Sequence, residues 1–164
     1  MENCKLLNSL KNQFFVSFSM LEEIIEGCPD ELWNKKASGF VFWQQFIHTF
    51  AGMKGWLRAE KMDGIPYSQI NGINIYPEFE KDPEAILTKN DIKNCYNEIK
   101  EIVEKWFNGK DDDWLKSPYK IYDKINNLDM TIGQIKHMMY HIGYFEAIFR
   151  ENGIKTGEYL EYFG

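Results

Sequence analysis

Apolar residues recur along this chain at helical spacing in four long stretches, separated by segments with no periodicity. Leu7, Leu10, Phe14, Phe18, Leu21 and Ile25 follow one another in steps of three and four, which places all six on one helix face. They predict a first helix from about Asn3 to Glu26, with Gly27 as the stop and Pro29 close behind. Phe42, Phe46, Phe50, Met53 and Leu57 predict a second helix from about Gly39 to Glu60. Ile92, Cys95, Ile99, Ile102 or Val103, and Trp106 mark a third, opened by a capping box of Thr88 with Asp91 in place of Glu and ending near Asn108-Gly109. The last helix is predicted from Asp129 or Thr131 to Asn152, with the stripe Ile135, Met138, Ile142, Phe145 and Phe149 and a stop at Gly153.

Between Lys61 and Leu87 the pattern fails, and Gly64, Pro66, Gly72, Pro77 and Pro83 interrupt the chain, so a long irregular connection is expected. A second connection runs from Asp111 to Leu128; Asp111 to Asp113 are read as an exposed loop, and a short helical turn is placed around Tyr119 to Ile125. No strand-like alternation of useful length is visible. Four amphipathic helices in one domain spanning residues 1–164 predict an all-α four-helix bundle. The link between the first two helices, roughly 12 residues at about 3.3 Å each, permits parallel neighbours without requiring them.

Composition narrows the function classes. Apolar residues make up 44 % of the chain and aromatics 16 %, ample for a single core. The net charge of -6 and pI near 5.1 argue against a nucleic-acid partner, because such affinity comes mainly from Lys and Arg displacing counterions. No run of about 18 apolar residues and no secretory h-region stand out, so no membrane association and a soluble, cytoplasmic protein are expected. Cys4, Cys28 and Cys95 are odd in number, widely spaced and form no CxxC pair, so neither a disulfide framework nor a zinc knuckle is suggested. Cys95 falls in a core stripe and is read as inert, whereas Cys4 and Cys28 near helix ends are read as more accessible.

The chemistry-bearing residues are the chain's 3 histidines. His137 and His141 stand four apart on the last helix, so their imidazoles leave the same face about one turn apart. His48, in the second helix, supplies a third nitrogen if the two helices pack side by side. The competing reading makes each a hydrogen-bonded core histidine. Gln44, Gln45 and Gln134 flank the apolar stripes beside them, and buried polar groups need partners, for which a shared metal suffices. Gly52 and Gly55 lie one and two turns beyond His48, where they either clear space for a ligand or allow close helix packing. Three imidazoles suit Zn(II), Ni(II), Fe(II) or Cu(II) and leave coordination positions open. A di-iron carboxylate site is excluded, because Gln45 and Gln134 stand where Glu-x-x-His would need carboxylates. Glu98, Glu101 and Glu104 read as a solvated face.

Phe42-Trp43-Gln44-Gln45-Phe46-Ile47-His48-Thr49, paired with Thr131-Ile132-Gly133-Gln134-Ile135 leading into His137-x-x-x-His141, resembles the DinB-like superfamily over roughly residues 5–153. His141-Ile142-Gly143-Tyr144, followed by Phe149-Arg150 and Gly153, is similar to the end of that family's last helix, with Tyr144 where the family often carries Gln. The resemblance implies an up-up-down-down four-helix bundle with a divalent metal, Zn, Ni or Fe, on His48, His137 and His141. Two functions follow from it. One is a metal-dependent transferase passing a low-molecular-weight thiol to an electrophile, with Trp43, Trp56, Tyr140 and Tyr144 as pocket candidates. The other is a non-catalytic metal-binding protein of the stress or damage response. A homodimer is expected, with the aromatic tail Tyr159, Tyr162 and Phe163 docking on the bundle or on a second subunit.

Overall fold

A computed structural model describes residues 4–37, 39–58 and 63–160. Most of the described chain is helical: α1 is Lys5–Gly27, α2 Asp30–Trp33, α3 Gln44–Trp56, α4 Lys89–Phe107, α5 Asp112–Lys116 and α6 Asn127–Glu151. Two minimal antiparallel hairpins complete it, β1 Lys36–Ala37 with β2 Phe40–Val41, and β3 Gln69–Ile70 with β4 Ile73–Asn74. No described helix is long and apolar enough to cross a membrane.

The four long helices α1, α3, α4 and α6 stand where the apolar stripes put them, and their ends follow local chemistry. Thr88 and Asp91 form the expected capping box on α4. The first helix runs through Gly27, so this glycine is not the stop; the chain leaves the helix at Cys28, whose backbone is extended, and Pro29 then opens the short α2. The second helix starts at Gln44 rather than near Gly39, because residues 36–41 turn back as the β1–β2 hairpin, with Gly39 in a left-handed conformation between the strands. Its expected end at Glu60 lies outside the described residues, as do Asn3, Tyr162 and Phe163, while the helix itself closes at Trp56. The last helix begins at Asn127, earlier than expected, because Asn126 and Asp129 make a second capping box.

The loop expected at Asp111 to Asp113 is a helix start. Asp111 caps α5 by accepting the Trp114 N–H, and the Asp112 carboxylate accepts the N–H groups of Leu6 and Leu7 at 3.2 and 2.8 Å, closing an α1 end that has no side-chain cap of its own. Residues 119–125 form no helical turn; Tyr119 donates its N–H to the Ile125 carbonyl across a tight loop instead.

Helix α1 packs against α4 and α6, and α3 packs against the same two. Phe14 meets Phe107, Phe18 stacks on Tyr96 with ring centroids 4.2 Å apart, and Glu26 pairs with Lys93, so α1 and α4 are antiparallel. Phe50 lies against Tyr96 and Lys54 against Glu98, so α3 and α4 are parallel. Gln45 meets His141 and Gly52 lies against His137, so α6 is antiparallel to α3, and in chain order the long helices run up, down, down, up, which corrects the up-up-down-down expectation. The physical reason is the distribution of connecting chain. The α1–α3 link is consumed by α2 and the first hairpin, and the long segment after α3 carries the crossover to its parallel neighbour.

The core sits between these helices and is aromatic-rich. Phe42, Phe46 and Phe145 are wholly buried, and Phe46 stacks on Phe145 at 4.1 Å, locking the start of α3 against α6. The Trp33 indole donates to the Leu87 carbonyl at 2.8 Å, tying α2 to the end of the irregular segment.

Candidate metal centre

The fold brings the three histidines together. Gln45, His48 and Gly52 share the face of α3 that meets α6, where Gln45 reaches His141 and Gly52 lies against the His137 ring, so the two helices cross antiparallel along this seam. One nitrogen from each of His48, His137 and His141 falls within 4.8 Å of the others. The tightest pair is His137 Nε2 and His141 Nε2, 3.1 Å apart. Neighbouring nitrogens on an ion bound at about 2.0–2.1 Å lie about 2.9–3.4 Å apart at octahedral or tetrahedral angles, so this pair has chelating separation.

Two of the three outer nitrogens, those of His48 and His141, are held as a metal site requires. His48 Nδ1 lies 2.8 Å from the Pro77 carbonyl, an acceptor only, so the neutral tautomer selected there has its proton on Nδ1 and its lone pair on Nε2. The side-chain amide of Gln45 contacts His141 Nδ1 at 3.0 Å. Its Oε1 is buried with no partner among the described residues, and turning the amide over sets that oxygen to accept Nδ1–H and frees His141 Nε2. His137 Nδ1 is buried with no hydrogen-bond partner among the described residues.

Burial keeps the pair neutral, which is the ligand form. The His141 ring is pushed down to about 3 by desolvation and by the neighbouring His137 and His48, and His137 to about 4 by desolvation and His48. Both then offer lone pairs throughout the neutral range. No described carboxylate or thiol joins the cluster, so the donor set is three imidazoles.

Gly52 serves the histidine rather than a free ligand. A Cβ there would stand 2.7 Å from His137 Cε1 and 3.2 Å from Nδ1, so the missing side chain makes room for the ring. Gly55 has no such role, since a Cβ would meet only Arg58 and Pro66 at 3.4 Å or more.

A cover of rings and loop backbone lies over His48. Phe79 stacks on it at 4.7 Å and on Phe40 at 4.2 Å, and Phe40 in turn faces Tyr144. Gln44 anchors this loop by donating from Nε2 toward the carbonyls of Ile75, Tyr76 and Lys81 at 2.8–3.1 Å. Tyr76 and Phe79 hold φ of 55° and 62°, left-handed values that cost a bulky residue energy, so the anchors keep the Pro77 carbonyl in place against strain. Neither Phe79 nor Pro77 was identifiable from the sequence, because nothing in an aperiodic loop marks which residue returns to the site.

The pocket candidates divide. Tyr140 sets its exposed ring edge-on to His141 at 5.1 Å, and Tyr144 joins the cover through Phe40. Trp43 is buried in the core, and Trp56 lies at the far end of α3 against Tyr119. Gln134 does not reach the histidines; its Nε2 faces the Met130 sulfur at 3.8 Å. Cys28, expected to be accessible, is buried, with desolvation pushing its thiol up to about 12, and Cys95 is likewise raised to about 11 by desolvation. Neither thiol is poised as a nucleophile.

Comparison with known proteins finds no matching family model, and no match among curated proteins or solved structures.

Proposed function

We propose that this chain is a DinB-like four-helix bundle that binds one divalent metal ion through His48, His137 and His141 and transfers a low-molecular-weight thiol to an electrophile. The observation that carries the metal reading is the convergence of three histidine nitrogens within 4.8 Å, with partners for the outer nitrogens of His48 and His141. The resemblance rests on these residues and their surroundings, since the helix order differs from the one it implied. A bound ion would supply Lewis acidity that keeps a thiol as thiolate near neutral pH. Zn, Ni and Fe all suit the imidazole set.

The chain's own residues do the remaining work. Pro77 and Gln45 orient the rings, Phe79 and Phe40 exclude water from one side of His48, and Tyr140 offers an exposed ring beside His141 against which an apolar electrophile can lie. Three protein ligands leave positions for the thiol, which favours turnover over the non-catalytic stress-response reading.

The test is elemental analysis of untagged protein beside His137→Ala, followed by a coupling assay of the loaded protein with bacillithiol or glutathione and a haloaromatic electrophile. About one equivalent of metal in the wild type, lost in the variant, together with metal-dependent loss of free thiol, is the expected result. No metal after reconstitution would overturn the site; one equivalent with no thiol consumption would leave the non-catalytic alternative.

A further inference from the structure

Away from the histidines, a cavity of about 820 Å³ opens between the end of α3, the second half of α4, α5 and the loop that follows it. Its volume lies in the range of small-molecule sites. It is lined by Lys54, Arg58, Lys105, Lys110 and Lys120 and by no described carboxylate, on a chain whose net charge is -6. Concentrating that many cations on one concavity is unfavourable unless something neutralises them.

The protein neutralises only part of the cluster. Lys54 pairs with Glu98 at 2.5 Å, and Lys105 reaches Glu101 only at 3.9 Å. Arg58, Lys110 and Lys120 make no ion pair among the described residues. Arg58 is the telling member: its Nη1 donates to the Gly55 carbonyl, while its Nε is shut off from solvent with no acceptor among the described residues. A guanidinium N–H in that state wants an oxygen that none of the described residues provides.

The wall beside these charges is aromatic. Trp106 packs edge-on against Trp114 with centroids 4.9 Å apart and lies 6.1 Å from Tyr119, and Lys110 sits over the Trp114 ring at 5.7 Å. Leu57 and Ile102 extend the apolar surface. Cations beside aromatic and aliphatic surface fit a ligand of matching polarity. We propose that this cavity binds an amphiphilic small-molecule anion, a carboxylate or sulfonate on an aromatic or aliphatic body, with Arg58 and Lys110 meeting the anionic end. The site is independent of the metal reading and stands or falls without it.

A matched pair of probes tests it. Anilinonaphthalene sulfonate and N-phenyl-1-naphthylamine share one aromatic body and differ in the sulfonate, and each is titrated by fluorescence into the wild type, into the Arg58→Gln/Lys110→Gln double variant and at rising salt. The sulfonate should bind about tenfold or more tightly than the neutral probe, lose about tenfold in the double variant, and weaken between about 0.02 and 0.5 M salt. Laurate should displace it where dodecanol does not. If the double variant fails to fold, the probe pair, the salt series and the displacement on wild type still decide. Equal affinity for the two probes, insensitivity to salt, displacement by both lipids alike, or unchanged binding in a folded double variant would overturn the proposal.

Discussion

Gly52 is the residue on which the histidine geometry turns. Replacing it with Ala adds a methyl 2.7 Å from His137 Cε1 at a position where alanine is otherwise the better helix former, by about 1 kcal/mol. Gly52→Ala should therefore stay folded yet lose metal affinity, seen as a right-shifted titration in calorimetry. Gln45→Leu removes the partner of His141 Nδ1 and should weaken metal binding about 10–100-fold, the usual cost of losing an outer-shell hydrogen bond. Protonation provides a third check. His137 and His141 titrate at about 4 and 3 in the folded apo protein, below the unfolded value near 6.5, so between those limits the unfolded chain binds more protons. Apo stability should fall as pH drops below about 6.5 and keep falling toward pH 3, read as declining urea midpoints; unchanged midpoints between pH 7 and 5 would contradict it. At this scale the sequence showed the histidine triad through its i, i+4 pair. It did not separate Gly52 from Gly55, because helical spacing says nothing about which neighbour a missing side chain accommodates.

Among the elements, legibility followed periodicity. The stripe Phe42, Phe46, Phe50, Met53 and Leu57 is buried throughout, although the helix holding most of it begins only at Gln44. Burial pattern and helix limits are set by different things: the first by the core, the second by caps and hairpins a few residues long. Asn126 shows the difference, since its cap lengthens α6 backward into a stretch with no apolar repeat. Asn126→Ala should cost about 1 kcal/mol, a drop of about 2–4 °C in melting temperature for a chain of this size. The β1–β2 hairpin and α2 were invisible because two-residue strands and one-turn helices carry too few residues to display a period. Phe79 and Pro77 escaped for the same reason, and with them went the cover over His48.

For the whole molecule, the metal and the fold should be coupled. An ion that binds only the native state adds about 2.7 kcal/mol at a free concentration 100 times its Kd, which for a chain of this length is roughly 5–10 °C. Differential scanning calorimetry with and without added metal checks this, and His137→Ala should abolish the shift. The direction of the helices was the part of the architecture least written in the sequence. Loop length bounds which arrangements can be connected, and the crossover was decided by contacts such as Phe14 with Phe107 that join positions far apart in the chain.

The carboxylate of Asp112 holds the amide protons of Leu6 and Leu7 from as far as 106 positions along the chain. At the free end of a helix such protons exchange with solvent almost without protection, whereas here they are released only when α5 lets go of α1. Deuterium uptake in the first peptide of the chain is therefore a clock for the opening of a segment near residue 112, and Asp112→Ala should start that clock at once. Whatever loosens α5, including a ligand leaving the cavity that Trp114 lines, becomes readable at the start of α1.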